Sequence, residues 1–166
     1  TTFKNAEVAL YFTNGSDAVV SNGLFSNCNF GIRVEGNTQF NHPISGNRFV
    51  TDHFFPDFKC VTKYAFVNNF STYGIFTMSS NFEHQVSHND FINSKRSEYP
   101  RTYVIYQTSG GGWFTENIFT DMFNSIWMQT CAHYTSIENN EIEINIQPVY
   151  IFPAIYINGS SGPVIE

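Results

Sequence analysis

Six seven-residue segments align without gaps along the chain: VVSNGLF (19–25), PISGNRF (43–49), YAFVNNF (64–70), QVSHNDF (85–91), WFTENIF (113–119) and SIENNEI (136–142). Their fifth position holds Gly23, Asn47, Asn68, Asn89, Asn117 and Asn140. Two residues later stand Phe25, Phe49, Phe70, Phe91, Phe119 and Ile142, and the second position holds Val20, Ile44, Ala65, Val86, Phe114 and Ile137. The steps between anchors are 24, 21, 21, 28 and 23 residues. A second motif, a small residue followed by apolar alternation, interleaves with the first. It is carried by Ala9-Leu10-Tyr11-Phe12, Gly31-Ile32-Arg33-Val34, Gly74-Ile75-Phe76-Thr77, Ser125-Ile126-Trp127-Met128 and Ala154-Ile155-Tyr156-Ile157. Thr102-Tyr103-Val104-Ile105 fits at the same distance before its Asn. In the repeat between Asn47 and Asn68 two frames compete, His53-Phe54-Phe55-Pro56 and Lys59-Cys60-Val61.

Alternation with period two specifies strands, and a repeat of this length containing several strands specifies one coil of a solenoid. No helical period runs long enough to fill a repeat. The expectation is an all-β protein, a single-stranded parallel β-helix of about seven turns, roughly 30–35 Å long at the usual strand spacing. Inward side chains then form columns: Leu10, Ile32, Ile75, Tyr103, Ile126 and Ile155 on one wall, the Phe residues on another. The recurrent Asn suits an internal ladder at a bend, where a short amide tolerates left-handed backbone and bonds neighbouring turns. Eighteen Phe and nine Tyr, with only 13% charged residues, fit such a packed interior.

The bulk numbers also exclude some partners. A net charge of −6 argues against nucleic acid, which needs clustered Lys and Arg; only Lys95-Arg96 forms a basic run. No stretch approaches 18 apolar residues, so no membrane insertion is expected. Cys28, Cys60 and Cys131 are odd in number and have no CxxC spacing, which makes a disulfide framework improbable. The chain begins without Met and lacks a secretory pattern, and both ends break off at repeat positions. Residues 1–166 therefore read as one β-helix domain, excised or processed from a longer chain, whose ends another segment or chain covers.

The pattern G-I-x-x-x-x-S-x-x-x-x-x-V-x-x-N-x-F resembles the parallel β-helix repeat of the pectin-lyase-like superfamily, which includes pectate lyases, polygalacturonases, polysaccharide epimerases and phage tailspike depolymerases. The resemblance spans essentially the whole chain and implies right-handed coiling. An Asn/Ser/Phe-rich, Lys-poor composition without disulfides or a signal peptide is most similar to tailspikes. That likeness implies a polysaccharide partner, a homotrimer, no cofactor, and an extracellular or virion-surface location on a phage tail. The motif specifies scaffold and not chemistry, so activity has to be sought on outward positions and interrupting loops.

Two long excursions, at about 92–102 and 143–153, leave the repeat at the same point and are expected to form ridges beside a groove. The Gly-Ile strand would form its floor, with outward Tyr11, Arg33, Phe55, Phe76, Val104, Trp127 and Tyr156. A second outward column would hold Glu35, Asp57, Met78, Tyr106, Gln129 and Asn158. Flat aromatic faces suit pyranose rings, so Phe76, Tyr106, Trp127 and Tyr156, with Arg33 and Arg101, are the carbohydrate-binding candidates. The same aromatics would equally suit a subunit interface. Glu35 and Asp57 would stack about 5 Å apart, the separation of a retaining glycosidase pair. Glu98, in SEYPR, is the alternative acid, and Asp121 lies at the same edge. His88 and Glu116 occupy equivalent places one turn apart and could touch, but with His84 they supply too few convergent ligands for a metal, and none is expected. Three readings remain open: a polysaccharide depolymerase of the glycoside hydrolase type, a receptor-binding or structural shaft without catalysis, and a polysaccharide lyase or epimerase.

Overall fold

The structure, a computed structural model, describes residues 1–15, 17–28, 30–36, 38–51, 75–78, 83–93, 104–108, 110–122, 125–129, 135–145, 153–159 and 164–166. These form an all-β parallel solenoid without a helix. Three parallel sheets make its walls, with strands numbered in chain order. The Phe sheet contains β1 (Thr2–Lys4), β3 (Leu24–Ser26), β6 (Arg48–Thr51), β9 (Asp90–Asn93), β12 (Ile118–Thr120) and β15 (Glu141–Glu143). The Ile sheet contains β2 (Val8–Thr13), β4 (Phe30–Glu35), β7 (Ile75–Met78), β10 (Ile105–Thr108), β13 (Ile126–Gln129) and β16 (Ile155–Asn158). The Val sheet contains β5 (Ile44–Ser45), β8 (Glu83–Ser87), β11 (Gly111–Thr115), β14 (Thr135–Glu138) and β17 (Val164–Ile165).

The columns read from the repeat are the core. Phe3, Phe25, Phe49, Phe91 and Phe119 stack with ring centroids 5.1, 4.6, 4.8 and 4.9 Å apart and planes within 12° of parallel. That spacing is the distance between neighbouring strands, about 4.8 Å, so in-register pairing alone stacks the rings. Each fully buried Phe contributes about 1.5–3 kcal/mol of transfer free energy, and each stacked pair about 0.5–1.5 kcal/mol more. Val20, Ile44, Val86, Phe114 and Ile137 line the second wall, and all are buried.

The Asn anchors form a hydrogen-bonded ladder between the Val and Phe sheets. The Asn47 amide Nδ2 donates to Asn89 Oδ1 at 3.1 Å, Asn89 Nδ2 to Asn117 Oδ1 at 3.0 Å, and Asn117 Nδ2 to Asn140 Oδ1 at 3.0 Å. Each of those Oδ1 atoms also accepts the backbone N–H of the preceding Asn, at 3.0–3.1 Å. Gly23 heads the column by donating its N–H to Asn47 Oδ1. The ladder residues do not themselves take the left-handed conformation expected of them. The residue before each one does: Asn22, Gly46, His88, Glu116 and Asn139 have φ between 52° and 64°. At Gly46 a Cβ would come within 2.8 Å of Asn22 Oδ1, which makes glycine the fitting choice there.

Two expectations of register are corrected. Asn47 bonds Asn89 directly, Phe49 pairs with Phe91, and Ile32 pairs with Ile75. The rungs of Asn47 and Asn89 are thus direct neighbours, and the turn expected on Asn68, with Ala65 and Phe70, lies outside the described residues. Second, the residue in line with Ile75 and Ile126 is Ile105 and not Tyr103. A slip of two residues keeps the same side inward, and a fully buried Ile105 fills the wall.

The outer face of the Phe sheet carries two rows. In register, one runs Thr2, Leu24, Arg48, Asp90, Ile118, Glu141, and the other Lys4, Ser26, Val50, Ile92, Thr120, Glu143.

Candidate functional site

The outer face of the Ile sheet gathers most of the residues singled out above. Its pairing aligns Tyr11, Arg33, Phe76, Tyr106, Trp127 and Tyr156 in one unbroken row. Tyr106 thus belongs to the first row and not the second, a consequence of the two-residue slip. Val104, expected to face outward, is buried ahead of β10. Thr13, Glu35 and Met78 share a second row, and Gln129 pairs with Asn158 on its continuation.

At one end of this face three polar side chains interlock. Arg33 and Glu35 lie two apart on β4, hence on the same side of the strand, and are only 21% and 20% exposed. Arg33 donates to Glu35 Oε1 through Nε at 2.7 Å and through Nη2. Tyr11, from the adjacent strand and 53% exposed, donates its hydroxyl to Glu35 Oε2. The Arg33 guanidinium also lies 5.6 Å from the Tyr11 ring centroid, within cation–π range. Burial pushes the Glu35 carboxyl up. The hydrogen bond from Tyr11, and then the hydrogen bond and charge of Arg33, outweigh it and leave the group below its ordinary 4.5. Tyr11 is raised above 10.0, first by its bond to Glu35 and then by burial and the carboxylate charge. Glu35 is therefore an ionised acceptor at neutral pH, able to take a proton but ill suited to donate one.

The expected stacking of Glu35 on Asp57 rests on a residue outside the described ones. The neighbours of Glu35 across the sheet are Thr13 and Met78, because β4 pairs directly with β2 and β7. Asp57, Glu98, Arg101 and Phe55 lie outside the described residues, as do 94–103 and 146–152 within the expected ridges. The first residues of those excursions, Ile92 and Glu143, are strand residues of β9 and β15.

At the other end Trp127 and Tyr156 stack on each other, with centroids 3.8 Å apart and planes at 20°. Both are half-buried. Their shared faces are closed to a ligand. This departs from the flat platform expected, and the reason is the pairing of β13 with β16, which sets one ring directly over the other.

Elsewhere, His88 and Glu116 do touch, Nε2 to Oε2 at 2.7 Å, on an exposed corner. Among the described residues no group of three His, Cys, Asp or Glu side chains could hold a metal ion. Asp121 is buried in a left-handed turn, where its Oδ1 accepts the Asn145 N–H at 2.6 Å. That bond makes it part of a corner of the solenoid. Asp17 does the same for Asn41, accepting its backbone N–H at 3.1 Å and its amide at 2.5 Å. The Asn41 backbone bond, then its amide, hold the Asp17 carboxyl below its ordinary value. Sequence reasoning missed this brace, although 17 to 41 and 121 to 145 are both 24-residue steps, one turn of the repeat.

Comparison with protein-family models, with curated proteins and with solved structures found no match to the chain.

Proposed function

We propose that this chain is a polysaccharide-binding and depolymerising right-handed β-helix of the pectin-lyase-like kind, most similar to a phage tailspike acting on a bacterial surface glycan. The observation that carries this reading is the single register row of Tyr11, Arg33, Phe76, Tyr106, Trp127 and Tyr156 on one sheet face. A row with one position per strand repeats about every 4.8 Å and offers an extended glycan a periodic set of contacts. Tyr11 and Arg33 supply polar edges at one end, and Trp127 and Tyr156 supply apolar surface at the other. Because Arg33 is neutralised by Glu35, the face suits uncharged sugars better than uronates. In cleavage, an ionised Glu35 is matched to the base role, and the proton donor falls to Asp57 or Glu98.

The test is incubation with a panel of capsular and O-antigen polysaccharides, with products read by size and by reducing or unsaturated ends. The expected result is binding weakened at least about tenfold by Trp127→Ala or Tyr156→Ala, consistent with loss of an aromatic contact. Cleavage should be abolished by Gln at Glu35, Asp57 or Glu98 in a folded protein. Unsaturated ends would point to a lyase or epimerase. No binding and no cleavage across the panel would overturn the proposal. A second reading, a non-catalytic receptor-binding shaft and homotrimer, is favoured by one observation. The faces of Trp127 and Tyr156 are already turned on each other, as in a structural aromatic ladder.

A further inference from the structure

We propose that the outer face of the Phe sheet is the interface of an antiparallel homodimer, the partner being a second copy of this chain. The six strands order their outward residues so that the face is complementary to itself when reversed. Cations stand at its first half, Lys4 on β1 and Arg48 on β6. Carboxylates stand at its second half, Asp90 on β9 and Glu143 on β15. The ion pairs found among the described residues, Arg33–Glu35 and His88–Glu116, use none of these four.

Consider a two-fold axis lying in the interface, parallel to the strands and midway between β6 and β9. It reverses the order of strands and keeps each outward row opposite itself. Lys4 of one copy then meets Glu143 of the other, and Arg48 meets Asp90. Between these charges Leu24 faces Ile118 and Val50 faces Ile92, while Ser26 faces Thr120. Thr2 faces Glu141, a hydroxyl able to donate to a carboxylate; the other five cross-interface pairs are opposite in charge, apolar with apolar, or hydroxyl with hydroxyl. Ile118 is 41% exposed, and Leu24, Val50 and Ile92 are half-exposed, so apolar area remains to be covered. A two-fold contact must be self-complementary in this way. A parallel arrangement, with the axis along the solenoid, would set equal strands opposite each other and exchange the rows, bringing Glu141 of one copy against Glu143 of the other, which like-charge repulsion disfavours.

Six strands at about 4.8 Å give a face about 29 Å long and only a few residues wide, below the standard interface size. The dimer is accordingly concentration-dependent and weakened by salt. It uses a face separate from the glycan row, so glycan binding and dimerisation are tested separately, and the dimer stands against the homotrimer of the shaft reading.

The experiment is sedimentation equilibrium of the whole chain over a concentration series at low and high salt. Dimers at low salt that dissociate with added salt are expected. Lys4→Glu and Glu143→Lys, each alone, should raise the dissociation constant roughly tenfold, since each change turns two symmetric attractions into repulsions. The double variant K4E/E143K should restore it. Within one copy these residues are five strands apart, about 24 Å, so rescue cannot arise inside a monomer. A Leu24→Cys/Ile118→Cys variant should form a disulfide only between copies, because within one copy the sites are about 14 Å apart, beyond disulfide reach. A monomer at all concentrations, a trimer, or a dimer indifferent to the charge reversal would each overturn the proposal.

Discussion

Glu35 stays charged because both its oxygens are engaged, one by Arg33 and one by Tyr11. Its folded pKa lies below the unfolded value, so its contribution to stability is fully present above about pH 4.5 and is lost as pH falls through the lowered folded value. Tyr11 has the opposite sign: its contribution holds below pH 10.0 and is lost as pH rises through the raised value. A thermal melt from about pH 6 to about pH 3 should therefore show a steeper fall for wild type than for Glu35→Gln, with the two curves converging at the acid end. Parallel curves would mean the carboxylate gains nothing from its neighbours on folding. The contribution of Asp17 is common to both proteins and cancels in the comparison. This three-residue cluster was only partly legible in the sequence. Alternation puts Arg33 and Glu35 on the same side of a strand, but bonding of Tyr11 from the preceding turn depends on register between strands, Tyr11 opposite Arg33.

Register is a property of elements, and there the sequence was a good guide to columns and a poor one to phase. Asn and Phe in fixed positions revealed the ladder and the ring stack because each repeats once per turn with no equivalent alternative. The Ile strand at β10 was read two residues early, since Tyr103 and Ile105 have the same parity and the preceding excursion has no fixed length. Phe49 pairs directly with Phe91, because the partner of a strand is decided between distant segments and not by local pattern. The ladder itself should be expensive to interrupt. Asn89 is fully buried; its Oδ1 serves two donors of Asn47, and its Nδ2 donates to Ile44 O, Ser87 O and Asn117 Oδ1. Asn89→Ala leaves backbone groups without partners and should cost about 3 kcal/mol, which at this chain length lowers the melting temperature by roughly 6–12 °C. Asn140→Ala should cost visibly less, because that side chain is only part-buried and water can replace some of its bonds. Equal losses in a melting comparison would contradict a ladder whose strength grows with burial.

For the molecule as a whole, stacking makes each turn depend chiefly on its two neighbours, as in other repeat proteins. Strands with a neighbour on each side should resist opening more than those at the edges of the sheets. Amide hydrogen exchange should therefore be at least about a hundredfold slower in β9 and β12 than in β1 and β17, a difference of a few kcal/mol in local opening. Uniform protection from first strand to last would indicate one all-or-none unit. The excursions from the repeat are where sequence guides structure least, since nothing in a stacking rule constrains residues that do not stack.

The ladder also has a direction. The backbone N–H of Asn47 is satisfied by Asn89, that of Asn89 by Asn117, and that of Asn117 by Asn140, always by the later residue. On a ribosome the earlier residue emerges first. Each coil therefore leaves the exit tunnel with a polar donor still waiting, and only the coil synthesised after it can supply the acceptor. During translation the newest turn is the incomplete one, and the nascent chain carries its vulnerable surface at its growing end until the next turn closes over it.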